Sequence, residues 1–317
     1  MRLGLGCAQL GNLYRAMSDE TARAVVDTAW ERGIRYFDTA PHYGLGLSER
    51  RLGAGLAARP RDDYVLSTKV GRLLVDNSGG TGERDTEGFD VPRTHVRRRD
   101  YSRDGVLRSL ESSLDRLGVD RVDIAFVHDP EDHVPDALDG ALPALAELRD
   151  QGVLTGIGLG MNLASVLAGF VRRADVDVVM IAGRYTLLEQ PALDDLLPLC
   201  EQRGVAVMAA GVFNSGILAS PTPGRTYDYA AAPAELVARA TRIAEVCLRH
   251  GVELPRAAIA LPAAHPAVAS VVLGASTPEQ VAANADRAAA PVPPALWADL
   301  IAEGLLRADT PVPREAS

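Results

Sequence analysis

The chain has 317 residues, 47% of them hydrophobic, and a formal net charge of -9, so it can bury a large core and is ill matched to nucleic acid or an anionic membrane surface. Its three cysteines, Cys7, Cys200 and Cys247, are too few and too far apart for a disulfide framework or a zinc site, and a reducing cytoplasm is the expected compartment. The N-terminal MRLGLGCAQLG has no long apolar run and no window reaches ~18 uninterrupted apolar residues, so neither a signal peptide nor a transmembrane helix is expected.

From Leu3 onward, short apolar runs of strand character alternate with longer stretches of helical period. The first run, LGLGCA at 3–8, leads into a helix predicted from Asp19 to Arg32, with Ser18 as N-cap, Thr21 in its first turn and Gly33 as its stop. IRYFD follows at 34–38 and YVLSTK at 64–69. Residues 71–101 then interrupt the rhythm with a long Gly-, Asp-, Thr- and Arg-rich segment, expected to be a functional lid or a disordered loop. Within it, Asp76, Asn77, Arg84, Asp85 and Arg93 suit a hydroxylated substrate, and Arg97, Arg98 and Arg99 are expected to be solvated, with no partner assigned. A helix ending ESSLDRL stops at Gly118. Four further runs follow: VDIAFVH (122–128), LTGIGL (154–159), VDVVMI (176–181) and VAVMAA (205–210). A second rim segment is expected at 212–232, and Pro255, Pro262 and Pro266 punctuate the approach to the last run, VASVVLG at 268–274. Residues from about 308 to 317 read as an unstructured tail. Eight strands, each followed by a helix, predict an α/β chain folded as one (β/α)8 TIM barrel over residues 1–317.

Three runs finish on a residue able to hold or move a proton: Asp38, Lys69 and His128. Tyr43 lies five residues after Asp38. In a parallel barrel, strand C-terminal ends gather at one mouth, so these four groups are expected to meet there. A phenol is a poor proton exchanger at neutral pH, but a neighbouring ammonium favours the phenolate. Lys69 supplies that charge, Asp38 keeps the lysine charged and oriented, and His128 hydrogen-bonds the substrate oxygen or the phenol. Singly, each residue has a structural explanation as a cap, a packing ring or a turn partner; their matching positions on successive strands favour chemistry. His42 and Asp129 read as walls of the same site, His95 and His133 as rim residues, and His250 and His265 as structural. No metal is implied, since carboxylates and histidines do not fall at ligand spacing.

The motifs FDTAPHYG, LSTKVGR and VHDP, with LGLGCAQLGNLYR at the start and LGASTPEQVAAN near the end, resemble the aldo-keto reductases over essentially the whole chain. GNLYR, HYGLGLSERRLG, STKVGRLL, DYSRDGVLRSLESSL and AGRYTLLEQ point within that superfamily to the aldose 1-dehydrogenases that act on D-threo-aldoses such as L-fucose, or on D-galactose. The resemblance implies Tyr43 as proton donor or acceptor, Lys69 and Asp38 as tuners of its acidity and His128 as the substrate-orienting group. It implies a nicotinamide dinucleotide bound without a Rossmann unit, and the chain indeed lacks GxGxxG after its first strand. Gly211, Phe213, Asn214, Ser215, Gly216 and Leu218 are then expected along the pyrophosphate. Gly274, Ala275, Ser276, Thr277, Glu279, Gln280 and Asn284 are expected around the adenosine, and Asn162 at the carboxamide. No cation stands at Gly274, Ser276 or Gln280 to hold a 2′-phosphate, which favours NAD, or use of both dinucleotides, over strict NADP. The expected activity is oxidation of an aldose at C1 to the lactone. The alternatives are an NADPH-dependent aldehyde or ketone reductase, a pyridoxal dehydrogenase and a dinucleotide-binding regulatory subunit. The sequence leaves the oligomeric state open.

Overall fold

Twelve strands, in chain order, are β1 Leu3–Gly6, β2 Tyr36–Asp38, β3 Val65–Val70, β4 Arg72–Asp76, β5 His95–Arg99, β6 Ile124–His128, β7 Gly156–Met161, β8 Val178–Ala182, β9 Ala206–Ala210, β10 Thr226–Tyr227, β11 Ala230–Ala231 and β12 Val268–Gly274 among the described residues. Eight of them close into a parallel barrel in the order β1-β12-β9-β8-β7-β6-β3-β2, with β2 returning to β1. The helices are α1 Asp19–Glu31, α2 Leu47–Leu56, α3 Arg103–Leu117, the single turn α4 Val134–Asp136, α5 Leu142–Asp150, α6 Ala164–Arg173, α7 Leu196–Arg203, α8 Ala234–Arg249, α9 Leu254–Ala260, α10 Pro278–Ala289 and α11 Pro294–Ala302. The structure is a computed structural model and describes residues 3–77, 79, 82–228 and 230–313. The (β/α)8 barrel is the fold expected from the eight apolar runs, each of which contains or overlaps a barrel strand.

Local signals explain the helix ends. Ser18 Oγ accepts from the Thr21 N–H at 3.1 Å, and Gly33 leaves α1 at φ +79°. Ala22, Val25, Val26 and Ala29 form the buried stripe of α1. Ser102 Oγ caps α3 by accepting from the Gly105 N–H at 3.1 Å, and Gly118 closes it at φ +65°.

Alternation along the strands places the polar stops. In β6, Ala125 and Val127 join the core beneath the helices, whereas Ile124 and Phe126 join Tyr36, Val178, Met180, Met208 and Val272 inside the barrel. His128 continues the inward series of 124 and 126. By the same period, Asp38 follows the inward Tyr36, while Leu66 and Val70 of β3 face the helices and leave Ser67 and Lys69 facing inward. Each inward series ends on a functional group.

The segment 71–101 departs from the sequence expectation, because β4 and β5 pair within it as an antiparallel ribbon from Arg72 opposite Arg99 to Asp76 opposite His95. Four of the ten paired residues are arginines, so the apolar alternation that marks a strand is weak there. Residues 78, 80 and 81 of this segment lie outside the described residues. The rim segment 212–232 holds the short β10–β11 pair. In the expected tail, Thr310 is buried and Val312 packs against a second apolar cluster centred on Trp297, while residues 314–317 lie outside the described residues.

Candidate active site

Two glycines set the position of Tyr43. The backbone turns through three consecutive left-handed residues, Gly44 at φ +62°, Leu45 at +52° and Gly46 at +81°. A Cβ on Gly44 would sit 2.2 Å from the Gly11 carbonyl oxygen, and one on Gly11 would sit 2.6 Å from the Tyr43 carbonyl carbon. The loop therefore lies backbone to backbone on the end of the first βα connection, a contact open only to glycine. Leu45 tolerates its uncommon φ because its side chain is buried with Phe89 and Val91. Half-buried Tyr43 then stands at the barrel mouth.

Beneath it lies a buried ion pair. Lys69 Nζ donates to Asp38 Oδ2 at 2.6 Å and to the Thr39 carbonyl at 3.0 Å, and both charged residues are 2% exposed. Ser67 Oγ donates to the other carboxylate oxygen at 2.7 Å. Lys69 Nζ is 4.9 Å from the centroid of the Tyr43 ring. Burial alone would lower the pKa of this ammonium, but Asp38 and Tyr43 outweigh burial and raise it above the ordinary lysine value. The lysine is held charged.

The fourth residue meets the opposite fate. The His128 ring stands edge-on to Tyr43, with centroids 5.9 Å apart, and its Nδ1 is buried without a hydrogen-bond partner among the described residues. Burial first, then Arg72 and Lys69, push His128 well below the ordinary histidine range. His42, 5.5 Å from the His128 ring, is pushed down to about 2 by burial, with Arg72 and Arg97 adding to it. Both imidazoles are neutral hydrogen-bonding groups at physiological pH. The expected quartet is thus brought together at one mouth, with His42 and Asp129 against it as foreseen.

The rim differs from its expected role. Arg97 is not solvated: its side chain is 6% exposed, it pairs with Asp85 at 2.5 Å and it donates to the His42 carbonyl at 2.9 Å. Arg99 reaches the carbonyl of Asp129 at 3.0 Å. Arg98, by contrast, is exposed near Asp100. Four of the five polar groups expected to face substrate are engaged within the protein, Asp85 by Arg97, Arg84 by Asp90, Arg93 by Glu83 and the Asn77 amide by the Arg93 carbonyl, while Asp76 is exposed. Arg72 joins the site without a mark in the sequence. Its guanidinium lies 3.3 Å from His42 Nδ1 and pairs with Asp129. It stands three residues beyond the inward Lys69, where the charged hairpin hides strand character.

The segments expected at a dinucleotide offer less than their composition implied. Leu218 is fully buried in the second apolar cluster with Phe213 against it, and the N–H groups of Asn214, Gly216 and Leu218 bond to the carbonyls of Gly211 and Phe213. Asn214 donates to the Gly183 carbonyl at 3.0 Å, leaving its Oδ1 buried and unpartnered among the described residues. Ser215 and Gly216 follow at φ +57° and +106°. In the last segment Ala275 is core, Thr277 caps α10, Gln280 Oε1 accepts from the Ser276 N–H at 2.7 Å, and Asn284 is buried on α10. Gly274 lies against Gln9, whose Oε1 is also buried and unpartnered. Buried acceptors without donors are what a polar ligand satisfies, so Asn214 and Gln9 fit a bound dinucleotide. Gln9 was not foreseen. Asn162 lies half-buried just beyond β7. Among the described residues, no group of three or more His, Cys, Asp and Glu side chains forms a metal-holding arrangement, and no helix is long and apolar enough to cross a membrane.

A model of the aldo/keto reductase family matches residues 2–301. The chain is 49% identical to a D-threo-aldose 1-dehydrogenase of Pseudomonas sp, an alignment that covers 94% of this chain and 92% of the relative. It is 40% identical to a pyridoxal 4-dehydrogenase of Microbacterium luteolum, covering 96% and 94%. Among solved structures it is similar to an aldo-keto reductase of Bacillus halodurans in holo form, with a TM-score of 0.76 and 26% identity over 99% of this chain and 94% of that one.

Proposed function

Because the chain belongs to the aldo/keto reductase family and is an NAD(P)-dependent oxidoreductase, we propose that it oxidises the C1 hydroxyl of an aldose to the lactone, with Asp38, Tyr43, Lys69 and His128 as its catalytic residues. The observation that carries this assignment is the buried Lys69–Asp38 pair directly beneath the Tyr43 ring. The likeness to the Pseudomonas D-threo-aldose 1-dehydrogenase supports the substrate class.

Tyr43 takes the proton of the anomeric hydroxyl. The Lys69 ammonium favours the phenolate that must do so, and Asp38 and the Thr39 carbonyl keep that ammonium aimed. Neutral His128 holds the substrate oxygen by a hydrogen bond and adds no charge of its own. When bound, the nicotinamide dinucleotide supplies the hydride acceptor at C1. Asn214, Ser215 and Gly216 after β9 hold its pyrophosphate side, with Gly211, Phe213 and Leu218 shaping the turn beneath. Gly274, Ala275, Ser276, Thr277, Glu279, Gln280 and Asn284 hold its adenosine side, and Asn162 its carboxamide. Glu279 is an acidic residue in the first turn of α10, and the basic residue of the last turn, Arg287, is paired with Glu253 at 2.9 Å. That charge pattern disfavours a 2′-phosphate, so NAD is the preferred dinucleotide.

Tyr43→Phe is expected to lower aldose-dependent NAD reduction by at least about 1,000-fold while the dissociation constant for NAD, read by fluorescence titration, changes little. Ordinary turnover in that variant would remove Tyr43 from the chemistry. Wild-type kcat/KM for oxidation is expected to rise with pH, since the proton acceptor must be deprotonated. NAD is expected to exceed NADP in kcat/KM by about tenfold or more, one unfavourable phosphate contact being about 1.5–3 kcal/mol. A second reading, oxidation of a pyridoxal-type alcohol, draws on the 40% identity to the Microbacterium enzyme and on the ring wall of His42 and Phe89, 5.1 Å apart. NAD reduction with pyridoxal in parallel with a panel of aldoses separates the two.

A further inference from the structure

Asp129 follows His128 directly, and its backbone is fixed in a conformation few side chains adopt. Its φ is +43°, in the left-handed region where Asp is among the better tolerated non-glycine residues. Its N–H donates to the Gly160 carbonyl at 3.0 Å, and its own carbonyl accepts from Tyr101 OH and from Arg99 Nη1, each at 3.0 Å. Local strain held by this many bonds is a mark of a side chain that must be aimed.

The aim is toward the reacting groups. Asp129 Oδ2 lies 3.5 Å from His128 Nε2 and pairs with Arg72 Nη2. The carboxylate side chain is 26% exposed, against 12% for Arg72 and 8% for His128, so it is the member of the trio open to a ligand. Burial raises the Asp129 carboxyl above its ordinary range in spite of Arg72, which is the behaviour of a carboxylate short of donors.

We propose that Asp129 reads the hydroxyl on the carbon next to the one oxidised, with Arg72 as its positioning residue, making the site selective for sugars hydroxylated at C2. This rests on the aldose assignment above. Neighbouring oxygens on a sugar ring lie within hydrogen-bond length of each other. If O1 sits between Tyr43 and His128, O2 falls on a group adjacent to His128, and the Arg72–Asp129 pair offers it both an acceptor and a donor. A sugar lacking O2 leaves the carboxylate desolvated and without its donor, and such a loss is penalised more heavily than a missing apolar contact.

The test compares kcat/KM for D-galactose with 2-deoxy-D-galactose, and for L-fucose with 2-deoxy-L-fucose, using NAD. In the wild type the hydroxylated sugar is expected to be favoured about 10- to 100-fold, the range of one hydrogen bond to a charged group. In Asp129→Asn that ratio is expected to collapse to within about threefold of one, the loss appearing mainly in KM for the hydroxylated sugar. Arg72→Lys, which keeps the carboxylate but removes the forked donor, is expected to reduce the ratio in the same direction, and it carries the test if Asp129→Asn melts below the assay temperature. A wild-type enzyme that oxidises both members of a pair equally, or variants that lower both equally, overturn the role of Asp129 while leaving aldose oxidation intact. A wild type that oxidises none of the four sugars overturns the aldose assignment and this proposal together.

Discussion

Lys69 and His128 meet the same burial with opposite results. Both are buried at the barrel mouth, yet Asp38 and Tyr43 raise the lysine above its ordinary 10.5 while His128, facing Arg72 and Lys69, falls below 6.5. For Lys69 the folded value exceeds the unfolded one, so its stabilisation is complete at neutral pH and is lost only as strongly alkaline pH passes the folded value. Removing it leaves Asp38 as an unpaired buried charge. Lys69→Met is therefore expected to destabilise the fold by about 3–5 kcal/mol in urea titration, as well as stopping turnover. For His42 and His128 the folded values are lower than the unfolded ones, so their contribution is complete above pH 6.5 and is lost as pH falls below it. Each costs about 1.4 kcal/mol per pH unit in that range until its folded value is reached. Urea midpoints measured from pH 7 to 5 are expected to fall less steeply in His42→Gln than in the wild type; equal slopes would mean that His42 is charged in the folded protein.

At the scale of elements, the Gly11–Gly44 contact places the Tyr43 loop by backbone alone. Gly44→Ala adds a left-handed penalty of about 1–2 kcal/mol to a clash with a carbonyl that cannot move aside. A lower melting temperature and a fall in kcat well beyond any change in NAD affinity are expected from that one methyl group. Barrel strands such as β6 and β12 were legible because each is a short apolar run bounded by polar residues. Asp38, Lys69 and His128 were legible because they end such runs at equivalent heights. The β4–β5 ribbon was not, since the face it turns to the site carries arginines whose partners, Asp85, Asp129 and the His42 carbonyl, lie 12 to 57 residues away in the chain. Sequence reading sees charge there and assigns water. Folding supplies the counterions.

Across the whole molecule, the apolar interior is divided. One cluster lies between the helices and the barrel strands from β1 to β9, and another joins α8, α9 and α11 around Trp297, which is 1% exposed. The second includes Leu187, Leu188, Ile217 and Leu218, so the turn assigned to the pyrophosphate is built on it. Trp297→Phe is expected to raise the dissociation constant for NAD more than the KM for sugar, while Trp297→Ala costs about 3–5 kcal/mol of stability. Equal effects on both ligands would show that the two clusters respond as one. The segments proposed for the dinucleotide were the least legible part of the site because their capacity to bind depends on which N–H groups the turn itself consumes, a property of geometry that residue type does not carry. The hairpin of β4 and β5 has a consequence of its own. Arg97 and Arg99 tie it to the backbone of His42, His128 and Asp129, so its amides cannot open to solvent without loosening the strand end that carries the imidazole. In hydrogen–deuterium exchange these amides should be protected in step with β6 and not at the rate of a surface loop, so that the cover of the site and its chemical floor unfold as one unit.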